Sequence, residues 1–406
     1  LLEGKIAAYG VDESGKEIER PVLKMEEFIQ SRLQPLLNYI FFDENSYSFD
    51  KRYVILNKNE TEKFNENQLF FNNTLETYYN ILNIIGKRLA INPGSKIKLT
   101  GCNDGYSSEK NNIELSKNRA DEVKKYLTDV WQIEADRISI ETKNLPDKAS
   151  TPVSEIEKMQ ENRRVEIQTN DYEILKPLFL TDTVRKSNIS ALRFKTRTNS
   201  EAGLKELELI VKQDEQIIKK FNEIDENSPK NIGKSTKDFD WNLEEDQEHL
   251  PKFDKPISYE LTLKDFKNQT YITKGKDIDF EVLTITKKRT EGIADKIIDK
   301  YSLILFEFDK ADIENNNRKI LDFVKSRIGK NSTVKIEGFT DKTGEAEYNK
   351  KLSERRATAV QNALSYPKST SFGIGEEILL HNNDLPEGRF YCRTVDITVE
   401  KSIENK

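Results

Sequence analysis

Two acid–base pairs at equal spacing are the residues of this chain best suited to chemistry. Asp104 and Arg119 lie fifteen positions apart, and so do Asp341 and Arg356. Each Asp is followed by an Asn at the eighth position (Asn112, Asn349), a Leu at the eleventh (Leu115, Leu352) and a Ser at the twelfth (Ser116, Ser353). A carboxylate in a turn accepts hydrogen bonds from an ammonium, and a guanidinium on the following helix grips a carboxylate as a planar fork. Together they suit a ligand that carries both charges. The same residues could instead form a salt bridge that ties a loop to a helix within one domain.

Other chemistries find little support. His249 and His381 stand apart from any Cys or His at metal-ligand spacing. Ser116 and Ser353 have no nearby His to suggest a triad. The many carboxylates lack an apolar setting that would raise a pKa for acid catalysis. Gly373-Ile374-Gly375 starts like a dinucleotide fingerprint but lacks its third glycine and its strand-to-helix context. Cys102 and Cys392 read as small buried hydrophobes rather than a disulfide framework. The chain therefore reads as a non-enzyme, with no metal and no cofactor.

The elements that must position these residues follow from composition and periodicity. A chain of 406 residues suits roughly three domains. Its 35% hydrophobic and 33% charged residues fit small domains with solvated surfaces. The 65 basic and 71 acidic residues are interspersed without a basic stripe, so a nucleic-acid partner is not expected. No apolar run approaches the ~18 residues of a spanning helix. The longest, Leu36–Phe42, has the length of a strand. The chain starts at Leu1 without a signal segment, which says nothing against export.

Residues 1–34 read as an N-terminal strand/helix extension, the tail of an upstream domain. In it, Lys5–Val11 is strand-like, and Met25, Phe28, Ile29 and Leu33 fall at the spacing of a short amphipathic helix. Residues 35–170 and 291–406 follow one β-α-β-α-β plan. In the first, a strand at Leu36–Phe42 precedes a helix on Leu75, Tyr79, Leu82, Ile85 and Leu89, then a strand at Lys96–Leu99. A second helix on Leu115, Ala120, Val123 and Leu127 leads to strands at Arg137–Ile140 and Arg164–Ile167. The other copy has a strand at Ser302–Phe308, a helix on Ile320, Phe323, Val324 and Ile328, and a strand at Val334–Ile336. Its second helix carries Leu352, Ala357, Val360 and Leu364, and Val395–Val399 is its last strand. Between the copies, residues 171–290 alternate apolar and charged side chains, as at Leu207/Leu209/Val211 and Tyr259/Leu261/Leu263. With polar loops such as Asn222–Lys237, this predicts a two-sheet β-sandwich with Trp241 in its core. Lys287–Gly292 reads as a linker. The fold class is α+β.

The repeated segments resemble the C-terminal, peptidoglycan-associating domain of the OmpA family of Gram-negative envelopes. That family's pattern runs Gly-x-Thr-Asp, then Asn-x-x-Leu-Ser-x-x-Arg-Ala-x-x-Val, and ends in Asn-Arg-Arg-Val-Glu-Ile. The later copy carries Gly338, Thr340, Asp341, Asn349, Leu352, Ser353, Arg356, Ala357 and Val360, with Pro386-Glu387-Gly388-Arg389 also family-like. The earlier copy carries Gly101, Asp104, Asn112, Leu115, Ser116, Arg119, Ala120 and Val123, with Asn162–Ile167 intact. The middle segment looks like the immunoglobulin-like modules of large envelope proteins.

The resemblance implies that Asp104 or Asp341 accepts the ammonium, and Arg119 or Arg356 the carboxylate, of diaminopimelate in a peptidoglycan stem peptide. Asn103, Asn112 and Arg163, and Thr340, Asn349 and Arg393, complete the two candidate sets. Two departures stand out. Cys102-Asn103 precede Asp104 where the family has a bulkier residue and Thr, and Tyr391-Cys392-Arg393-Thr394-Val395 lacks the second arginine of the closing motif. The implied protein anchors an outer-membrane or periplasmic assembly to the cell wall, alongside other envelope proteins. The alternative is a structural subunit of an envelope complex or filament with vestigial pockets.

Overall fold

The computed structural model describes residues 1–224, 232–247, 249–303, 313 and 315–403. The chain divides into two compact units, one of residues 1–29 and 183–297 and one of residues 30–182 and 298–402.

The second of these units contains both acid–base pairs. In the first repeat, the sheet order is Tyr39–Phe41, Arg164–Gln168, Ile97–Gly101, Ile138–Thr142. The first two pairings are antiparallel and the last is parallel. In the second repeat, Asp295–Leu303, Val395–Ile403, Ser332–Phe339 and Ser369–Gly375 follow one another in the same order. Here too the central strand pairs antiparallel with the C-terminal strand and parallel with the edge strand. The helix that carries the candidate arginine spans Ile113–Asp129 in one repeat and Ala346–Leu364 in the other. It buries Leu115, Ala120, Val123 and Leu127, or Leu352, Ala357, Val360 and Leu364, one apolar stripe at helical spacing. In the second repeat Ala357, Val360 and Leu364 of that stripe pack with Val334, Ile336, Ile397 and Val399, which alternate along their strands.

A glycine ends or nearly ends each central strand, and the helix leaves no room for anything larger. A Cβ on Gly101 would sit 1.9 Å from the Ser116 carbonyl oxygen, and one on Gly338 would sit 2.3 Å from that of Ser353. These contacts bring the loop that carries the Asp against the helix that carries the Arg. They are the physical meaning of the Gly and Leu-Ser positions in the repeated pattern.

The two repeats also pack on one another. Phe390 stacks on Phe41, with ring centroids 5.8 Å apart, and meets Tyr39 edge-on at 5.5 Å. The Tyr391 hydroxyl accepts from the Leu37 amide and donates to the Pro35 carbonyl. Arg52 lies 3.0 Å from the buried Glu387, to which Tyr79 donates a hydrogen bond. Glu161 of the first repeat reaches Arg389 and Arg393 of the second, at 2.9 and 2.6 Å.

The other unit has two four-stranded antiparallel sheets. One runs Gly233–Asn242, Ala191–Ser200, Leu2–Val11, Glu17–Glu19, and the other Gln216–Ile224, Leu204–Gln213, Ile257–Asp265, Thr270–Lys274. Leu192, Phe194 and Trp241 from the first share a core with Leu209, Val211 and Leu261 from the second. Trp241 is buried and donates through Nε1 to Asp246.

Several expectations need correction. Met25 to Leu33 belong to a strand, Val22–Gln34, not a helix. Parallel pairing of its start with Asp279–Leu283 outweighs a four-residue periodic signal. Leu2–Val11 pairs along its length with Ala191–Ser200, so the first 29 residues complete the two-sheet unit rather than forming a separate extension. Lys287–Gly292 is no linker. Ile285–Glu291 is a helix capped by the Thr284 side chain and ended by Gly292 at φ 67°. The helix expected on Leu75 to Leu89 is two, Thr74–Tyr78 and Ile81–Ile91. Strands Gln216–Ile224 and Gly233–Asn242 extend into the expected loop Asn222–Lys237, whose residues 225–231 lie outside the described residues. The strand expected at Ser302–Phe308 starts earlier, as Asp295–Leu303, and residues 304–309 lie outside the described residues.

Candidate functional site

In the first repeat, the loop after Ile97–Gly101 folds over the start of the Ile113–Asp129 helix. Asn112 caps that helix by accepting from the Leu115 amide at 3.1 Å. Asn103 donates to the Asn112 carbonyl and the Ser116 hydroxyl, and accepts from the Gly105 amide. Asp104 accepts from the Tyr106 amide at 2.8 Å and lies 3.2 Å from Arg163 Nε. Both Asn103 and Asp104 are fully buried.

Arg119 is fully buried too, and its five N–H donors meet five acceptors of this chain. Nε donates to the Ser46 carbonyl, and the terminal nitrogens donate to the carbonyls of Asp43 and Cys102. The remaining two donors form a fork on the Glu109 carboxylate at 2.6 and 2.9 Å. Phe42 stacks under the guanidinium, 5.6 Å from its ring centroid. Glu109 is itself fully buried, and its carboxylate also accepts from the amides of Asn45 at 2.7 Å and Asp104 at 3.3 Å. Burial pushes the Glu109 carboxyl up, but the Arg119 hydrogen bonds and charge outweigh it and hold the group below the usual carboxylate range. Asp104 therefore faces Arg163, while Arg119 closes on Glu109.

In the second repeat, Thr340, Asp341, Asn349 and Arg356 are all buried. Asp341 accepts from the Thr343 amide at 3.0 Å, and its other oxygen lies 2.5 Å from Arg393 Nε. Asn349 donates to the carbonyls of Asp341 and Thr343 and to Glu376. The Thr340 amide donates to the Gly375 carbonyl, but its buried hydroxyl has no hydrogen-bond partner among the described residues. Asn103, at the same place in the first repeat, has partners for both its amide groups. The position five after the Asp also differs: it is Glu109 in one repeat and Ala346, which is exposed, in the other.

The candidate residues thus gather at equivalent places in the two repeats, each Asp on the loop after the central strand and each Arg on the helix behind it. Arg163 and Arg393 both turn onto the Asp of their own repeat. Sequence reasoning missed Glu109 and Glu161. Glu109 was visible as a departure between two segments of equal Asp-to-Arg spacing. Glu161 gave no such signal, because its role is set by packing between repeats.

A repeated α/β domain with a buried Asp–Arg site is the class of protein that this geometry defines. Residues 64–163 and 305–373 match the OmpA family, so each repeat carries a segment similar to that family. Outer membrane porin F of Pseudomonas aeruginosa is 36% identical over 107 residues, 24% of this chain and 30% of the relative. The peptidoglycan-associated lipoprotein of the same organism is 43% identical over 60 residues, 14% of this chain and 36% of the relative. The matched parts therefore span about a third of these relatives. A crystal structure of the peptidoglycan-associated lipoprotein from Burkholderia pseudomallei aligns with a TM-score of 0.23 and 24% identity, covering 24% of this chain and 88% of that one. Among the described residues, no helix is long and apolar enough to cross a membrane.

Proposed function

We propose that this chain is a non-enzymatic protein of the Gram-negative cell envelope that holds peptidoglycan through its second repeat and anchors a periplasmic or outer-membrane assembly to the wall. The ligand is the diaminopimelate residue of a stem peptide. Asp341 accepts from its ammonium, Arg356 donates to its carboxylate, and the Thr340 hydroxyl adds one more polar contact. Arg393 orients Asp341, and Asn349 fixes the loop. The observation that carries this reading is the Thr340-Asp341 pair, with a buried hydroxyl that has no partner among the described residues, in a loop that lacks the carboxylate found at Glu109. The two OmpA-family segments and the similarity to a lipoprotein named for peptidoglycan association support it. We read the two-sheet unit as an immunoglobulin-like module of the same envelope protein.

The test is co-sedimentation of the whole chain with purified diaminopimelate-type sacculi. Hydrogen bonds to charged groups contribute about 1.5–3 kcal/mol, so Asp341→Ala should weaken retention on the order of tenfold to a hundredfold. Arg356→Lys should weaken it as well, because a point charge replaces a fork. Retention equal to the parent's in both variants would sink the proposal.

A second reading, a structural subunit with vestigial pockets, is favoured for the first repeat by one observation. Every donor of Arg119 is used within the chain. Concentration-dependent assembly, without any response to a wall-peptide fragment, would extend that reading to the whole protein.

A further inference from the structure

The first repeat contains a complete carboxylate clamp that already holds a carboxylate. Two Arg119 donors and the amides of Asn45 and Asp104 converge on one carboxyl group, which belongs to Glu109. Arg119, Asp104 and the Glu109 carboxylate are fully buried, while Asn45, which supplies one of the amides, is an exposed residue. The chain carries Glu109 on a single turn, Ser107–Glu109, that starts after Gly105 at φ 67° and ends before Asn111 at φ 63°. Two left-handed residues flanking one short turn steer its side chain back into the domain. The second repeat, with the same spacing throughout, has Ala346 in place of this group, at an exposed position.

We propose that Glu109 is a built-in ligand: its side chain fills a carboxylate-binding site in the first repeat that would otherwise take a small free carboxylate. The turn Ser107–Glu109 acts as the plug. This goes beyond wall binding by the second repeat and stands or falls independently of it, because it concerns only the clamp around Arg119.

A guanidinium fork and two backbone amides recognise a carboxylate by its two oxygens and its charge, whatever chain bears it. Removing the Glu109 side chain leaves Arg119 buried without its counter-charge, a state that strongly favours any carboxylate small enough to enter. Glu109→Ala makes this position like Ala346 and vacates the site. Glu109→Gln keeps the space filled while removing the charge.

The experiment uses the full chain and follows amide hydrogen exchange in the helix Ile113–Asp129, with sodium acetate against sodium chloride at equal ionic strength. In chloride, Glu109→Ala should lose protection on the order of tenfold or more. Acetate at about 50 mM should restore most of that loss, while the parent and Glu109→Gln should show no difference between the two salts. Diaminopimelate in place of acetate asks whether an added ammonium improves the fit. Three results would overturn the proposal: no acetate response in Glu109→Ala, an equal response in Glu109→Gln, or full protection in Glu109→Ala without any carboxylate. Should Glu109→Ala be recovered unfolded, it is refolded in each salt. Recovery in acetate alone supports the built-in ligand, and failure in both overturns it.

Discussion

Arg119 and Arg356 occupy the same place on equivalent helices, one turn beyond a Leu-Ser pair, yet residue chemistry separates their repeats. Arg119 is a fork with all five donors spent inside the protein, and Glu109 takes two of them. A lysine has three donors on a rotating ammonium and cannot match a planar set of five acceptors. Arg119→Lys should therefore destabilise the first repeat by about 2–4 kcal/mol, read as a loss in urea-unfolding midpoint with an unchanged slope. Cys102, beside this clamp, is a free thiol whose burial pushes its pKa up to about 12. It should stay unmodified by alkylating agents at neutral pH as long as the repeat is folded.

At the scale of elements, the close meeting of strand and helix at Gly101 and Gly338 sets the site. Gly338→Ala would force a methyl group against a backbone carbonyl, which cannot swing aside as a side chain can. We expect a loss of about 1–3 kcal/mol and a measurable shift of the Thr340-Asp341 loop away from the helix. A drop in thermal midpoint together with weaker sacculus retention would check both. This level was also the most legible in the sequence. The site helices, the central strands and the Asp loops follow from periodicity and from a pattern seen twice, because their side chains answer mainly to neighbours on the same element. Val22–Gln34 was not legible, since its strand identity comes from a partner more than two hundred residues away. Nor was the fate of Arg119. Equal spacing shows that an Asp and an Arg are near one another, but not that a third residue, Glu109, will reach the Arg first.

For the molecule as a whole, the contact between repeats is the feature with most bearing on stability. Glu161 receives Arg389 and Arg393, and Arg393 also holds Asp341, so the candidate site of one repeat is tied to a carboxylate of the other. Burial would raise the Glu161 pKa, but the charges of Arg393, Lys158 and Arg389 and a hydrogen bond from Ser150 bring it down to about 2. A carboxyl held lower in the folded state than in the unfolded one adds stability above its unfolded pKa, and that stability fades as pH falls toward the folded value. The contribution of Glu161 should be complete at neutral pH and decline between pH ~4.5 and ~2. Glu161→Gln should cost on the order of 3 kcal/mol at pH 7, with the difference from the parent shrinking across that acid range. A gap that stays constant with pH would mean that the carboxylate charge does not matter there.

Arg389 adds to this joint by donating to the Glu157 carbonyl and to Gln160, while Phe390 and Tyr391 lie against Tyr39, Phe41 and Tyr78. Anyone who cuts the gene into single repeats will therefore produce fragments with raw edges, one showing bare aromatic rings and the other an Arg389 guanidinium stripped of its carboxylate. Such halves should clump or melt early, and a weak grip on cell-wall peptide by either would speak of the scissors rather than of the native protein.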